Sequence, residues 1–157
     1  MEKSRVFVGF SSDDIRYYHL MCAWKENKNL EFNFIDCQLN SSINSNNETY
    51  IKRKCRERIN MSGTFISLIG KNTKSKHKYV LWELEVAIEK GCRIIGVNID
   101  GSRQMNPKTC PSIIQNIGAI FVPFSDKIIY HALNNFEIEN QGSWYYPDEV
   151  YKQLGYQ

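Results

Sequence analysis

The stretch from Thr64 to Asn98 limits what this chain can fold into more than any other. It reads as an apolar run (TFISLIG), a basic loop (KNTKSKHK), an amphipathic segment (YVLWELEVAIEKG) and a second apolar run (CRIIGVN). Two apolar runs joined through one helix make a strand–helix–strand unit. A connection of that length joins parallel strands, with a right-handed crossover. At about 100° per residue, Val80, Leu84, Ala87 and Ile88 fall on one apolar stripe. Glu85 and Glu89 point away from it. Glu83 lies about 60° off one edge of the stripe, at the boundary between core and water. Gly91 stands where such a helix closes.

Position along the helix matters as much as its face. A helix that follows a parallel strand begins at the carboxyl edge of the sheet, and open α/β sheets bind ligands along that edge. The sequence puts Glu83 in the first helical turn, where the dipole favours the ionised carboxylate. Two readings stand at this point. The glutamate either complements the dipole and nothing more, or acts on a ligand.

At 157 residues the chain is long enough for one domain with a full core. A hydrophobic share of 42% and a charged share of 24% are those of an ordinary globular protein. No apolar run reaches the length of a membrane span, so no membrane partner is expected. The opening, MEKSRVFVGF, goes straight into a strand and lacks the apolar centre of a signal peptide, which points to the cytoplasm. The five cysteines (Cys22, Cys37, Cys55, Cys92, Cys110) are scattered and form no CxxC pair, so they read as reduced thiols. The three histidines stand far apart and near no paired cysteine, so no metal site is expected. A net charge of +3 is too small to argue for nucleic acid. Lys52, Arg53, Lys54, Arg56 and Arg58 read as the wet face of a helix whose Ile51, Cys55 and Ile59 face the core. Lys71, Lys74, Lys76 and Lys78 crowd the loop at the binding edge. That charge either attracts a phosphate-bearing ligand or only solvates the loop.

Taken in order, Arg5–Phe10 is a first strand, followed by Ser11, Ser12, Asp13 and Asp14, which can cap a helix. In that helix Tyr17, Leu20, Met21 and Trp24 are predicted to form the buried face. Leu30–Ile35 alternates as a second strand and ends at Asp36, which is either a turn former or a ligand contact. Residues 38–47 are an Asn- and Ser-rich loop. Thr64–Ile69, Arg93–Val97 and Ala119–Phe124 are the third, fourth and fifth strands. In the tail, Ile128–Leu133 and Pro147–Leu154 read as short helical pieces, with Trp144, Tyr145 and Tyr146 packing the tail down. The expected fold is therefore α/β: a flavodoxin-like, doubly wound sheet of five mainly parallel strands in the order 2-1-3-4-5. Residues 1–124 form the α/β domain and residues 125–157 an extension packed on it.

Several functions are disfavoured by the motifs. A receiver domain needs an aspartate at the end of the central strand, where this chain has Ile69, Gly70 and Lys71. GFSSDD after the first strand is not the GxGxxG of a dinucleotide oxidoreductase, and no GxSxG elbow is present. One carboxylate in a crevice suits cleavage of an N-glycosidic bond, because positive charge develops on the sugar as the base departs.

Phe7-Val8-Gly9-Phe10, Phe34-Ile35-Asp36, the run Phe65–Ile69 and Tyr79-Val80-Leu81-Trp82-Glu83-Leu84 resemble the successive motifs of TIR domains. The last resembles the W-V-x-x-E-[IL] helix that carries the catalytic glutamate of NAD-cleaving members. RVF-x-x-F at the start, and IEKG followed by IIGV, make the chain similar to the TIR-like subunit of the bacterial Thoeris anti-phage system. The resemblance spans about residues 5–124. It implies that Glu83 is catalytic, that Phe10 and Ser11 border the nicotinamide pocket, and that Asp36 and Tyr79 contact substrate. It also implies NAD+ as substrate with no separate cofactor, and an activity turned on by an infection cue. The implied product is a cyclic ADP-ribose-type signal or conjugate that acts on a separate effector protein. Self-association through TIR–TIR contacts is implied too. Tyr79, Gly9 and Gly70 depart from residues common in the family, tryptophan at the first and serine at the other two. A non-catalytic TIR scaffold and a nucleoside-processing transferase on the same fold remain as alternatives.

Overall fold

The computed structural model describes residues 5–25, 48–75 and 78–157. In chain order these form β1 (Val6–Gly9), α1 (Ile15–Lys25), α2 (Glu48–Asn60), β2 (Thr64–Ile69), α3 (Lys78–Lys90), β3 (Arg93–Asn98), β4 (Ile117–Pro123), α4 (Asp126–Asn135), β5 (Gly142–Tyr145) and α5 (Asp148–Gln153). Short 3-10 turns at Ser12–Asp14 and Ser112–Ile114 precede α1 and β4.

The five strands form one parallel sheet in the order β1-β2-β3-β4-β5. The order 2-1-3-4-5 expected from the sequence is not what the described residues show. The second strand of that scheme, Leu30–Ile35, lies outside them, as does Asp36. The other four expected strands are present as β1 to β4, in the expected succession. The fifth described strand, β5, comes from the tail, where no strand was predicted.

Parallel strands with covered faces are apolar throughout, and β2 is buried at all six positions. Alternation then divides the core in two. On one face Val8, Ile66, Ile95 and Ile120 line up across the sheet under α1, α4 and α5, which supply Met21, Ile128, Ile129 and Tyr151. On the other face Phe7, Phe65 and Ile94 lie under α2 and α3, which supply Ile59, Val80, Leu84 and Ala87. The result is the three-layer α/β architecture of the flavodoxin-like class.

Two packing expectations are corrected. In α1 the buried residues are Tyr18 and Met21, while Leu20 is exposed. Leu20 sits about 100° from Met21 around the helix, too far to share its face. In the tail Trp144 and Tyr145 are exposed, and the residue that fills the core is Tyr151. The close of α3 matches the sequence. Gly91 adopts φ +82°, its N–H bonds to Ile88 O, and the Cys92 N–H reaches back to Ala87 O.

Candidate active site

Glu83 is the only buried carboxylate among the described residues, with 7% of its surface exposed. Its place on α3 differs from the expectation in two ways. The helix begins at Lys78, so Glu83 lies in the second turn and the first turn holds no acid. The side chain is also inside rather than at the water boundary, because α2 packs over this part of α3. The Cys55 thiol of α2 points at Glu83 Oε2 from 4.0 Å, a weak contact even for sulfur. It is the carboxylate's one polar contact among the described residues.

Burial decides the charge state. It pushes the Glu83 carboxyl up from its ordinary 4.5 to about 8. The helix dipole, worth about 0.3–1 kcal/mol near an exposed terminus, is too weak at this depth to oppose that. Glu83 is therefore mostly protonated at neutral pH, against the ionised form expected from its sequence position. Cys55 is pushed up to about 12 by burial, with Glu83 adding to the rise and Arg58 opposing it. The thiol is thus a donor and not a thiolate. Beside this pair Trp82 is half-buried, with the charged ends of Lys52 and Arg56 over its ring at 5.7 and 5.8 Å. The basic residues of α2 thus remain on its outer side while Cys55 and Ile59 go in.

The other expected contacts sit differently. Phe10 is buried on the opposite face of the sheet from α3, stacked on Tyr18 at 5.0 Å between ring centroids. Ser11 is 1% exposed, and its Oγ accepts from the Asp13 N–H at 3.4 Å as the cap of the first 3-10 turn. Tyr79 is half-buried in the first turn of α3. The structure therefore joins Ser11 to the carboxyl edge of the sheet but does not bring the Phe10 ring onto the face that holds Glu83.

What links the two loops at that edge had no signal in the sequence. Asn72 Nδ2 donates to Asp13 Oδ2 at 3.1 Å, and the Thr73 hydroxyl lies 3.5 Å from Asp14 Oδ2. Thr73 Oγ1 also accepts from the Gly70 N–H at 2.8 Å. Thr73, Lys74 and Ser75 then form one wall of a cavity of about 650 Å³, whose other walls are Val80, Leu81 and Leu84 of α3 and Pro111, Ser112 and Ile113. Glu83 does not line it. Of the loop lysines, Lys74 is committed to a bond with the Pro107 carbonyl. The two glycine departures have steric reasons. A Cβ on Gly9 would come within 2.6 Å of the Phe65 ring, and one on Gly70 within 2.4 Å of Asp14 Oδ2.

No group of three or more potential metal ligands occurs among the described residues, and no helix among them is long and apolar enough to cross a membrane. No curated protein matches the chain. The family described as Thoeris protein ThsB, TIR-like domain, matches residues 7–104, a span that begins within β1 and takes in the two loops at the carboxyl edge, the α2–α3 pair and β3. The chain belongs to that family, the TIR-like domains of the Thoeris defence system.

Proposed function

We propose that this protein cleaves the bond between nicotinamide and ribose in NAD+, with Glu83 as the catalytic carboxylate, and turns the ADP-ribose into a cyclic or conjugated signal. The observation that carries this reading is the burial of one carboxylic acid on α3, which pushes it up to about 8. A carboxyl kept from water is costly as a charge and gains most when positive charge appears next to it. Departure of nicotinamide supplies that charge. The C1′–N bond breaks, its electron pair goes to the pyridinium nitrogen, and the ribose becomes an oxocarbenium ion. Ionised Glu83 stabilises this ion through the ribose, a contribution of several kcal/mol in a water-poor site. The ion is then captured by water, or by a nucleophile whose attack gives a cyclic product or conjugate. Ser11 is assigned to border the nicotinamide at the carboxyl edge, and Asp36 and Tyr79 to contact substrate. The product acts on an effector protein, and turnover begins on an infection cue with self-association of the domain.

The test is nicotinamide release from NAD+ by concentrated protein and by lysate of phage-infected cells, for wild type and Glu83→Gln. Release by wild type, lost in Glu83→Gln, is expected. No release in either setting, or equal release by the variant, overturns the proposal. The scaffold reading is favoured by one observation: the Phe10 ring and the Ser11 hydroxyl are both committed to packing and capping. Concentration-dependent assembly that Glu83→Gln leaves intact, with no turnover in any state, would select it.

A further inference from the structure

Several contacts join the loops after β1 and β2. Ser11 O accepts from the Asp14 N–H at 2.8 Å and Ser11 Oγ from the Asp13 N–H at 3.4 Å, so both acids are fixed relative to Ser11. Asp13 then takes the Asn72 amide proton. Asp14 lies with its carboxyl against Gly70, in the space a Cβ would fill: all three carboxyl atoms would be within 2.8 Å of that Cβ. Thr73 is 2% exposed. Its hydroxyl takes the Gly70 N–H and is 3.5 Å from both Asp14 Oδ2 and Leu68 O. It has one proton to give, and the carboxylate is the stronger acceptor. The 71–75 turn fixed in this way leads into α3, and Thr73, Lys74 and Ser75 wall the cavity on the near side of that helix.

We infer that Asp14, seated against Gly70 with a carboxylate oxygen 3.5 Å from the Thr73 hydroxyl, is a positioning residue. It holds the turn that carries Ser11 against the turn that leads to α3, and so sets the place of Ser11 relative to Glu83. This role rests on the proposed NAD+ cleavage. Asp14 does not touch the reacting atoms. It acts through Ser11 on substrate held equally in the ground and transition states, and loss of such an interaction raises KM more than it lowers kcat. A side chain at 70 would press on this carboxylate and displace it.

The experiment combines four single variants, Asp14→Ala, Asp14→Asn, Thr73→Val and Gly70→Ala, with the double variant Gly70→Ala/Asp14→Ala. Hydrogen exchange of the Gly70 amide and the KM and kcat for nicotinamide release are measured on each. Asp14→Ala, Thr73→Val and Gly70→Ala are expected to speed Gly70 exchange about tenfold, because local opening no longer breaks the latch. They are expected to raise KM for NAD+ about fivefold with kcat within about twofold. Asp14→Asn, whose amide oxygen still accepts from Thr73, should keep KM near wild type. The double variant should be no worse than either single, since each breaks the same contact. Wild-type turnover with KM unchanged in the variants, or with Gly70→Ala and Asp14→Ala adding independently, overturns the positioning role alone. Absence of turnover in wild type overturns that role together with the NAD+ reading, and the exchange data then show whether the two turns are still coupled.

Discussion

A buried acid that titrates near 8 leaves a signature in both stability and rate. Glu83 binds its proton more tightly in the folded chain than in the unfolded one, where it returns to about 4.5. Between those two values the folded state holds more protons, so stability falls as pH rises through the window. The contribution is fully present below 4.5 and is lost as pH passes 8. Glu83→Gln keeps the shape of the protonated acid and cannot ionise. Its melting temperature is expected to match wild type at pH 5 and to exceed it progressively from pH 6 to 8.5. A constant offset across that range would mean that the carboxyl is not held neutral by burial. The rate should move the other way, because the proposed mechanism needs the carboxylate. Nicotinamide release is expected to climb with pH to a midpoint near 8. An O–H donor favours the ionised form more than the weak thiol does, so Cys55→Ser should lower that midpoint while Cys55→Ala should not. A pH–rate profile of the three proteins checks the order. The sequence showed Glu83 beside an apolar stripe and Cys55 on the core face of its own helix. It carried no trace of their meeting, because how α2 crosses α3 is set by packing between segments 28 residues apart.

Elements were legible where one pattern filled them. β2 and β3 are nearly continuous apolar runs because helices cover both faces, and α3 shows its stripe and its closing glycine in order. β5 had no such pattern. It is a four-residue edge strand with half-buried Gly142 and Ser143 and exposed Trp144 and Tyr145, so it has no apolar face to read. It reaches β4 through an irregular register between Ile117 and Ala119, where Gly118 adopts φ +98°. The backbone of the 139–140 segment crosses directly over this glycine, with Glu139 O 2.3 Å from where a Cβ would be. Gly91 has a similar φ of +82° but open space around it. The two positions separate backbone strain from collision. Gly91→Ala is expected to cost about 1 kcal/mol, from left-handed strain alone. Gly118→Ala adds a clash with backbone that cannot rotate away and should cost about 3 kcal/mol or more. Urea unfolding midpoints of the two variants give the comparison. Equal losses would show that the 139–140 segment yields freely and that β5 is loosely attached.

At the scale of the molecule, one side chain ties three separate parts of the chain together. Arg93 opens β3, and its Nε donates to Thr64 Oγ1 of β2 at 3.0 Å. Its two other nitrogens donate to the carbonyls of Leu133 and Phe136 at the end of α4, at 2.8 and 2.6 Å. Those carbonyls belong to a helix end that carries no basic residue of its own, so the guanidinium supplies both the missing donors and the favourable charge. The chain leaves α4 there to reach β5, which makes Arg93 the point where the tail is fastened to the centre of the sheet. Hydrogen bonds to a charged group are worth about 1.5–3 kcal/mol when they are removed with their partners left in place. Arg93→Met keeps the apolar stem and removes the fork, and is expected to lower stability by about 2–4 kcal/mol. Lysine keeps the charge but not the planar fork, so Arg93→Lys should fall between the two. The loss should also be uneven. Amides of β5 and of the 133–136 segment are expected to exchange faster in Arg93→Met by a larger factor than those of β1 and β2, because opening the tail no longer breaks these bonds. Uniform acceleration across all five strands would mean that the tail and the sheet open as one unit, and that Arg93 stabilises the whole domain rather than its C-terminal edge.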